Sequence, residues 1–122
     1  MMVKTRTVEE VPRVERKLGM YKIIGIEDLT KDDKDYATRI GLPGDINGNT
    51  YRSIQKAFII AGLPKIHESF NSEFGYPNVL IYQILDTSVN LKLGAFEVYL
   101  EIYNEDKQKR QKTIKYLDDL LK

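Results

Sequence analysis

Alternation of apolar and polar residues is cleanest in the last third of the chain. Val89, Leu91 and Leu93 occupy odd positions, whereas Phe96, Val98, Leu100 and Ile102 occupy even ones. One extra residue inverts the face that a strand buries, so the change of phase at Gly94 predicts two strands joined there by a bulge or tight turn. The pattern sends Phe96, Val98, Leu100 and Ile102 to the core and leaves Glu97, Tyr99, Glu101 and Tyr103 on the outer face. Upstream, "VLIYQIL" (79–85) is short and rich in strand formers and reads as a central strand, and "MYKIIGIE" (20–27) reads as a buried strand weakened at Gly25.

A helical period governs two other stretches. From Thr50 the apolar positions Tyr51, Ile54, Phe58 and Ala61 step by three, four and three, and Gly62 and Pro64 supply the stop, with Asn49 or Thr50 as cap. After Asn104, a cap residue, Ile114, Leu117 and Leu121 mark the apolar stripe of a helix over 105–121 whose polar first half is expected in solvent. Thr30 followed by Asp33 has capping-box spacing and predicts a short helix over 31–40, ended by Gly41. The segment "GLPGDINGN" (41–49) reads as a loop and 65–78 as an irregular connection. Residues 1–16 read as an arm or an edge strand interrupted at Pro12.

These elements fall in the order β-α-α-β-β-β-α, with an amino-terminal strand as an option. The expected fold is α+β: a single domain over 1–122, with a mainly antiparallel sheet of three to five strands and two or three helices packed on one face. A chain of 122 residues can bury roughly 65% of its unfolded surface and needs no covalent staple.

Composition narrows the chemistry. The absence of cysteine removes disulfides, thiolate metal sites and thiol nucleophiles. The charged start lacks the apolar core of a signal peptide, and no run approaches the roughly 20 apolar residues of a membrane span, so an intracellular, cytoplasmic protein without membrane contact is expected. Abundant Ile, Tyr and Lys, little Ala and no Trp suit AT-rich coding sequence of the kind found in viruses and other mobile elements, low-GC bacteria and archaea. A net charge of +1 supplies no global field toward nucleic acid or anionic lipid.

The stretch "DINGNTYRSIQK" (45–56) resembles a dockerin-type calcium loop through its first three ligand positions, Asp45, Asn47 and Asn49. Thr50 then stands where glycine is needed, Arg52 where a hydrophobic residue is needed, and Lys56 where the closing carboxylate belongs, so no metal is expected there. An anion site is the alternative, because Gly44 and Gly48 lead into the helix start at Asn49 and Thr50 with Arg52 in its first turn. That reading would make the chain an enzyme or binder of a phosphorylated small ligand. His67 is the single histidine, which excludes ordinary zinc sites, and no nucleophile motif accompanies it. Asp32, Asp33 and Asp35 read as a solvated helix start. No catalytic residue, metal or cofactor is therefore assigned.

Two surfaces remain. Lys107, Lys109, Arg110, Lys112 and Lys115 form a stretch free of acids that could contact nucleic acid. Eight tyrosines are more than an average core consumes, and Tyr99 and Tyr103, flanked by Glu97 and Glu101, point to a protein-binding sheet face. The leading expectation is a non-enzymatic interaction module, a subunit, adaptor or inhibitor, that binds a protein partner or self-associates as a homo-oligomer. A nucleic-acid-binding accessory protein is the alternative. Millimolar Ca²⁺ should leave the melting temperature unchanged, because Lys56 holds the closing ligand position; a rise abolished by Asp45→Ala would reinstate the calcium loop.

Overall fold

The structure, a computed structural model, describes residues 4–7, 16–70, 77–94 and 96–122, with backbone alone at 4–7 and 77. Along the chain run β1 (Lys4–Thr7), β2 (Lys17–Leu18), β3 (Tyr21–Lys22), β4 (Gly25–Lys31), β5 (Lys34–Pro43), α1 (Asn49–Ile60), β6 (Lys65–Phe70), β7 (Pro77–Ile84), β8 (Thr87–Leu93), β9 (Glu97–Tyr103) and α2 (Lys107–Leu120). Seven strands form one antiparallel sheet in the order β1-β4-β5-β9-β8-β7-β6, and β2 and β3 pair as a separate hairpin. The α+β class and the antiparallel sheet are as expected, and the sheet is wider than the three to five strands anticipated. β9 lies at its centre, and β7, expected there, is next to the edge.

Residues that face one another across antiparallel strands share a face. Tyr82 opposes Val89, Val89 opposes Ile102, Ile102 opposes Thr38 and Thr38 opposes Asp28, so these five form one transverse row. Both helices pack over that row. Phe58 of α1 meets the Tyr82 ring edge-on at 4.8 Å, Thr113 of α2 shares a 2.8 Å hydrogen bond with Thr87 of β8, and Arg110 of α2 donates to Thr38. Tyr51, Ile54, Phe58, Leu117 and Leu121 join Ile40, Leu42, Leu80, Val89, Leu91, Val98, Leu100 and Ile102 in one buried core. Among the described residues no helix lies on the other face.

The phase change at Gly94 is a turn between β8 and β9, closed by the Gly94 N–H donating to the Glu97 carbonyl at 2.8 Å. Phe96, expected in the core, sits in that turn and is 86% exposed, because the even-numbered strand begins only after it. The helix expected over 31–40 is instead the end of β4 and most of β5. Asp32 and Asp33 both adopt left-handed φ, 53° and 63°, between the paired Lys31 and Lys34, as a two-residue hairpin turn requires. Asp tolerates that region through its short polar side chain, so the acids that suggested a helix start make a turn instead. Gly41 accordingly lies within β5. Residues 65–70, expected to be irregular, form β6; the chain at 71–76 and the expected break at Pro12 lie outside the described residues.

The β2–β3 hairpin closes the far end of α2. The Gly19 N–H donates to Asp118 Oδ1 at 2.6 Å and the Met20 N–H to the Leu121 carbonyl at 3.0 Å. These bonds satisfy helix-terminal acceptors from about a hundred residues away. Gly19 has φ 60° and its Cα lies against the Leu121 backbone, where a Cβ would overlap the carbonyl. Gly19→Ala should therefore cost at least about 2 kcal/mol in urea unfolding, whereas Gly62→Ala, left-handed but in open space, should cost less.

Candidate interaction surface

The helix-free face is built from the alternate residues of the same strands. Ile81, Asn90, Glu101, Arg39 and Glu27 oppose one another in turn across β7, β8, β9, β5 and β4, and form a row one residue away from the core-facing one. Val79, Lys92, Tyr99 and Gly41 make a parallel row beside it. Gly41 lies opposite Tyr99, and a Cβ there would meet the ring at 3.7 Å, an ordinary contact.

Glu101 is the centre of the face and is only 1% exposed. Its Oε2 accepts from Arg39 Nε at 2.8 Å, and its Oε1 faces Lys92 Nζ at 2.9 Å and accepts from the Tyr103 hydroxyl at 2.8 Å. Burial alone would push the Glu101 carboxyl up; the hydrogen bonds from Lys92, Tyr103 and Arg39, with the Lys92 charge, outweigh it and hold the group below the usual glutamate range. The same arrangement acts on its partners. Burial and the hydrogen bond to Glu101 push the Tyr103 hydroxyl well up, so it remains a donor throughout the physiological range.

Arg39 also reaches Glu27 Oε1 with Nη1 at 3.4 Å, and its guanidinium carbon lies 5.6 Å from the centroid of the Tyr99 ring. A hydrogen bond with Glu97, then partial burial, raises Tyr99 above the ordinary tyrosine value. Tyr36 packs against Tyr103 with ring centroids 6.0 Å apart. Tyr99, Tyr103 and Glu97 are thus half-buried on the face predicted for them; Tyr103 is bonded to the buried Glu101, and Tyr99 is bonded with Glu97 and lies against Arg39. Arg39, Lys92 and Glu27 were missed. Lys92 was within reach, since the β8 alternation already sends Ser88, Asn90 and Lys92 outward, but Arg39 was hidden in a stretch that reads as helix.

The other candidates fare differently. Of the basic stretch, Arg110 is fully buried, whereas the other residues from Lys107 to Lys112, in the first half of α2, stand in solvent as expected. Its Nε donates to Thr38 Oγ1 at 2.9 Å and its Nη1 to the Asn104 carbonyl at 2.7 Å, while Nη2 faces Asp28 and Asp35 at 3.6 and 3.9 Å. Lys107 is exposed but lies 3.4 Å from the buried Asp28 carboxylate. Lys109, Lys112 and Lys115 remain on the outer side of the helix.

At the start of α1, Asp45 Oδ1 accepts the Asn49 N–H at 2.9 Å, and Arg52 Nη2 donates to Asn49 Oδ1 at 2.8 Å. The N-cap is the left-handed Gly48, not Asn49 or Thr50 as expected, and Asp45, three residues before it, accepts the first helical N–H. A phosphate approaching Gly44, Gly48, Asn49, Thr50 and Arg52 would meet a carboxylate already placed at the helix N-terminus. His67 is exposed on β6, and among the described residues no group of three or more His, Asp or Glu is placed to hold a metal ion. Comparison of the chain with protein-family models, curated proteins and solved structures finds no match. Any role must therefore be argued from these surfaces.

Glu101 makes the face pH-sensitive in a defined direction. Its folded pKa lies below the unfolded value of about 4.3, so its contribution is complete above that value and disappears as pH falls through the lower folded pKa. Glu101→Gln should lower stability by about 1 to 3 kcal/mol at pH 7, discounted for partners that are about one-third exposed. Thermal melts should show the gap between the two proteins closing only in the acid range; a gap that persists unchanged at pH 2 would mean the cost is one of packing.

Proposed function

We propose that the chain is a non-enzymatic interaction module, a subunit, adaptor or inhibitor, that binds a protein partner with the helix-free face of its sheet. The observation that carries this reading is the state of Tyr99, Tyr103 and Arg39. Tyrosine and arginine are residue types that dominate binding energy at interfaces, and here Arg39 and Tyr103 are bonded to the buried Glu101 and Tyr99 lies against the Arg39 guanidinium before any partner arrives. Ordering long side chains on binding costs about 0.5 to 1.5 kcal/mol each, so a surface ordered in advance retains more of its contact energy as affinity. The same network argues against catalysis, since the Tyr103 hydroxyl is held protonated and Glu101 is fully engaged by donors.

Nucleic-acid binding stands as the second reading, on the exposed Lys109, Lys112 and Lys115. Three cations neutralise about three phosphates, which gives a weak contact that reads no sequence. The two readings place the work on different surfaces. A tagged chain recovered from the cells that produce it should carry a stoichiometric protein, and with that protein purified, Tyr99→Ala should weaken binding about fivefold or more. Lys109→Glu with Lys112→Glu should leave that affinity unchanged. The reverse ranking would overturn the proposal, as would binding of a labelled oligonucleotide with a log–log salt slope near −2.7 that the lysine variant abolishes.

A further inference from the structure

Two glycines face each other on the helix-free side of the sheet. Gly25 of β4 opposes Gly41 of β5, and Gly41 in turn opposes Tyr99 of β9. Glycine inside a strand weakens it, and is otherwise found where the backbone needs positive φ or a neighbour leaves no room for a Cβ. Neither cause applies here. Both lack positive φ, a Cβ on Gly41 would make only ordinary contacts, and one on Gly25 would meet no atom of the described residues within 4 Å. The pair leaves a notch in the side-chain layer that is open above the exposed Gly25.

The walls of the notch differ in chemistry. Ile24 Cγ1 and Tyr99 Cε1 would lie 3.5 and 3.7 Å from a Gly41 Cβ, so an aliphatic and an aromatic surface border it. Glu97 Oε2 would lie 3.4 Å from the same Cβ, which carries its carboxylate over β5 toward Gly25, about 5 Å further across the sheet. Glu27 follows Gly25 on the same face, about 7 Å along the strand. Among the described residues Glu27 receives one long contact, 3.4 Å from Arg39 Nη1, and Glu97 one hydrogen bond, from Tyr99, whereas a carboxylate has room for about four. Three carboxylates, Glu27, Glu97 and Glu101, share this part of the face with two cations, Arg39 and Lys92, and leave it one net negative charge.

We propose that the protein partner seats an arginine side chain in this notch, over Gly25 and Gly41. The inference rests on the protein-binding reading of the helix-free face and names what that face recognises. A guanidinium has a flat, weakly hydrated surface that packs on Tyr99 and Ile24, and edge donors that reach carboxylates on two sides. One such charge neutralises the surface. Arg39 does not oppose it, because its own charge is held by Glu101 at 2.8 Å. A lysine ammonium, compact and strongly hydrated, gains less from the aromatic and aliphatic walls. An acidic group would meet Glu27 and Glu97, and an apolar one would cover both carboxylates without offering them a donor.

A small probe tests the notch directly. N-acetylarginine methylamide at about 10 mM, where even a millimolar contact is mostly occupied, should shift the Gly25 and Gly41 signals in an amide correlation spectrum of the full chain. The citrulline analogue, alike in shape but uncharged, should leave them in place. Gly25→Val fills the notch with a strand-forming residue in open space, so it should keep the melting temperature and abolish the arginine-induced shift at Gly41. Glu97→Gln should raise the Kd of the probe about threefold. Signals that the arginine probe does not move, that citrulline moves equally, or that still move in Gly25→Val overturn the inference. With the purified partner, Gly25→Val should weaken binding about fivefold or more, as Tyr99→Ala does. If Tyr99→Ala weakens that binding and Gly25→Val does not, the inference falls and the proposed function stands; if neither weakens it, both fall.

Discussion

A guanidinium taken wholly out of water sets the geometry on which the other packing rests. Arg110 is fully buried, and a charge in that position is tolerated only when paired and hydrogen-bonded. Its partners come from three places: Thr38 on β5, the carbonyls that precede α2, and the carboxylates of Asp28 and Asp35. Thr38 relays the contact, accepting from Arg110 while donating to Asp28 Oδ1 at 2.8 Å. A turn's shift of α2 along the sheet, about 5.4 Å, would strand this charge, whereas an aliphatic contact would slide at little cost. The polar cluster therefore fixes where the helix lies, and the apolar core, Leu117 and Leu121 included, fills the space that remains.

The second charged network is built back to back with the first. Asp28 and Thr38 face the helices; Glu27 and Arg39, one residue away on the same two strands, face the open side, where Arg39 bridges Glu27 and Glu101. Each face thus carries a buried group of fixed charge, Arg110 on one and Glu101 on the other. A one-residue slip of β5 against β4 or β9 would exchange the faces and place every one of these groups beside the wrong neighbour. Register that an apolar alternation sets only by burial is here also set by charge pairing, which ties the rigidity of Tyr99, Tyr103 and Arg39 to the fold itself.

How much of this could be read in advance depended on whether a residue's neighbours in sequence were also its partners in space. The β8–β9 alternation and α1 were legible because apolar period alone decides them. β5 was not, because its core side carries the polar Thr38 and its open side the small Ala37 and Gly41, which conceal a period of two. Arg110 looked like one cation in a basic run; the groups that bury it lie on β4 and β5, more than 70 residues upstream. Linear charge counting assigned five cations to solvent, whereas the fold uses one inside and holds Lys107 against Asp28. The outward placement of Tyr99 and Tyr103 followed from parity, but the clamp between them required knowing that β5 and β8 flank β9.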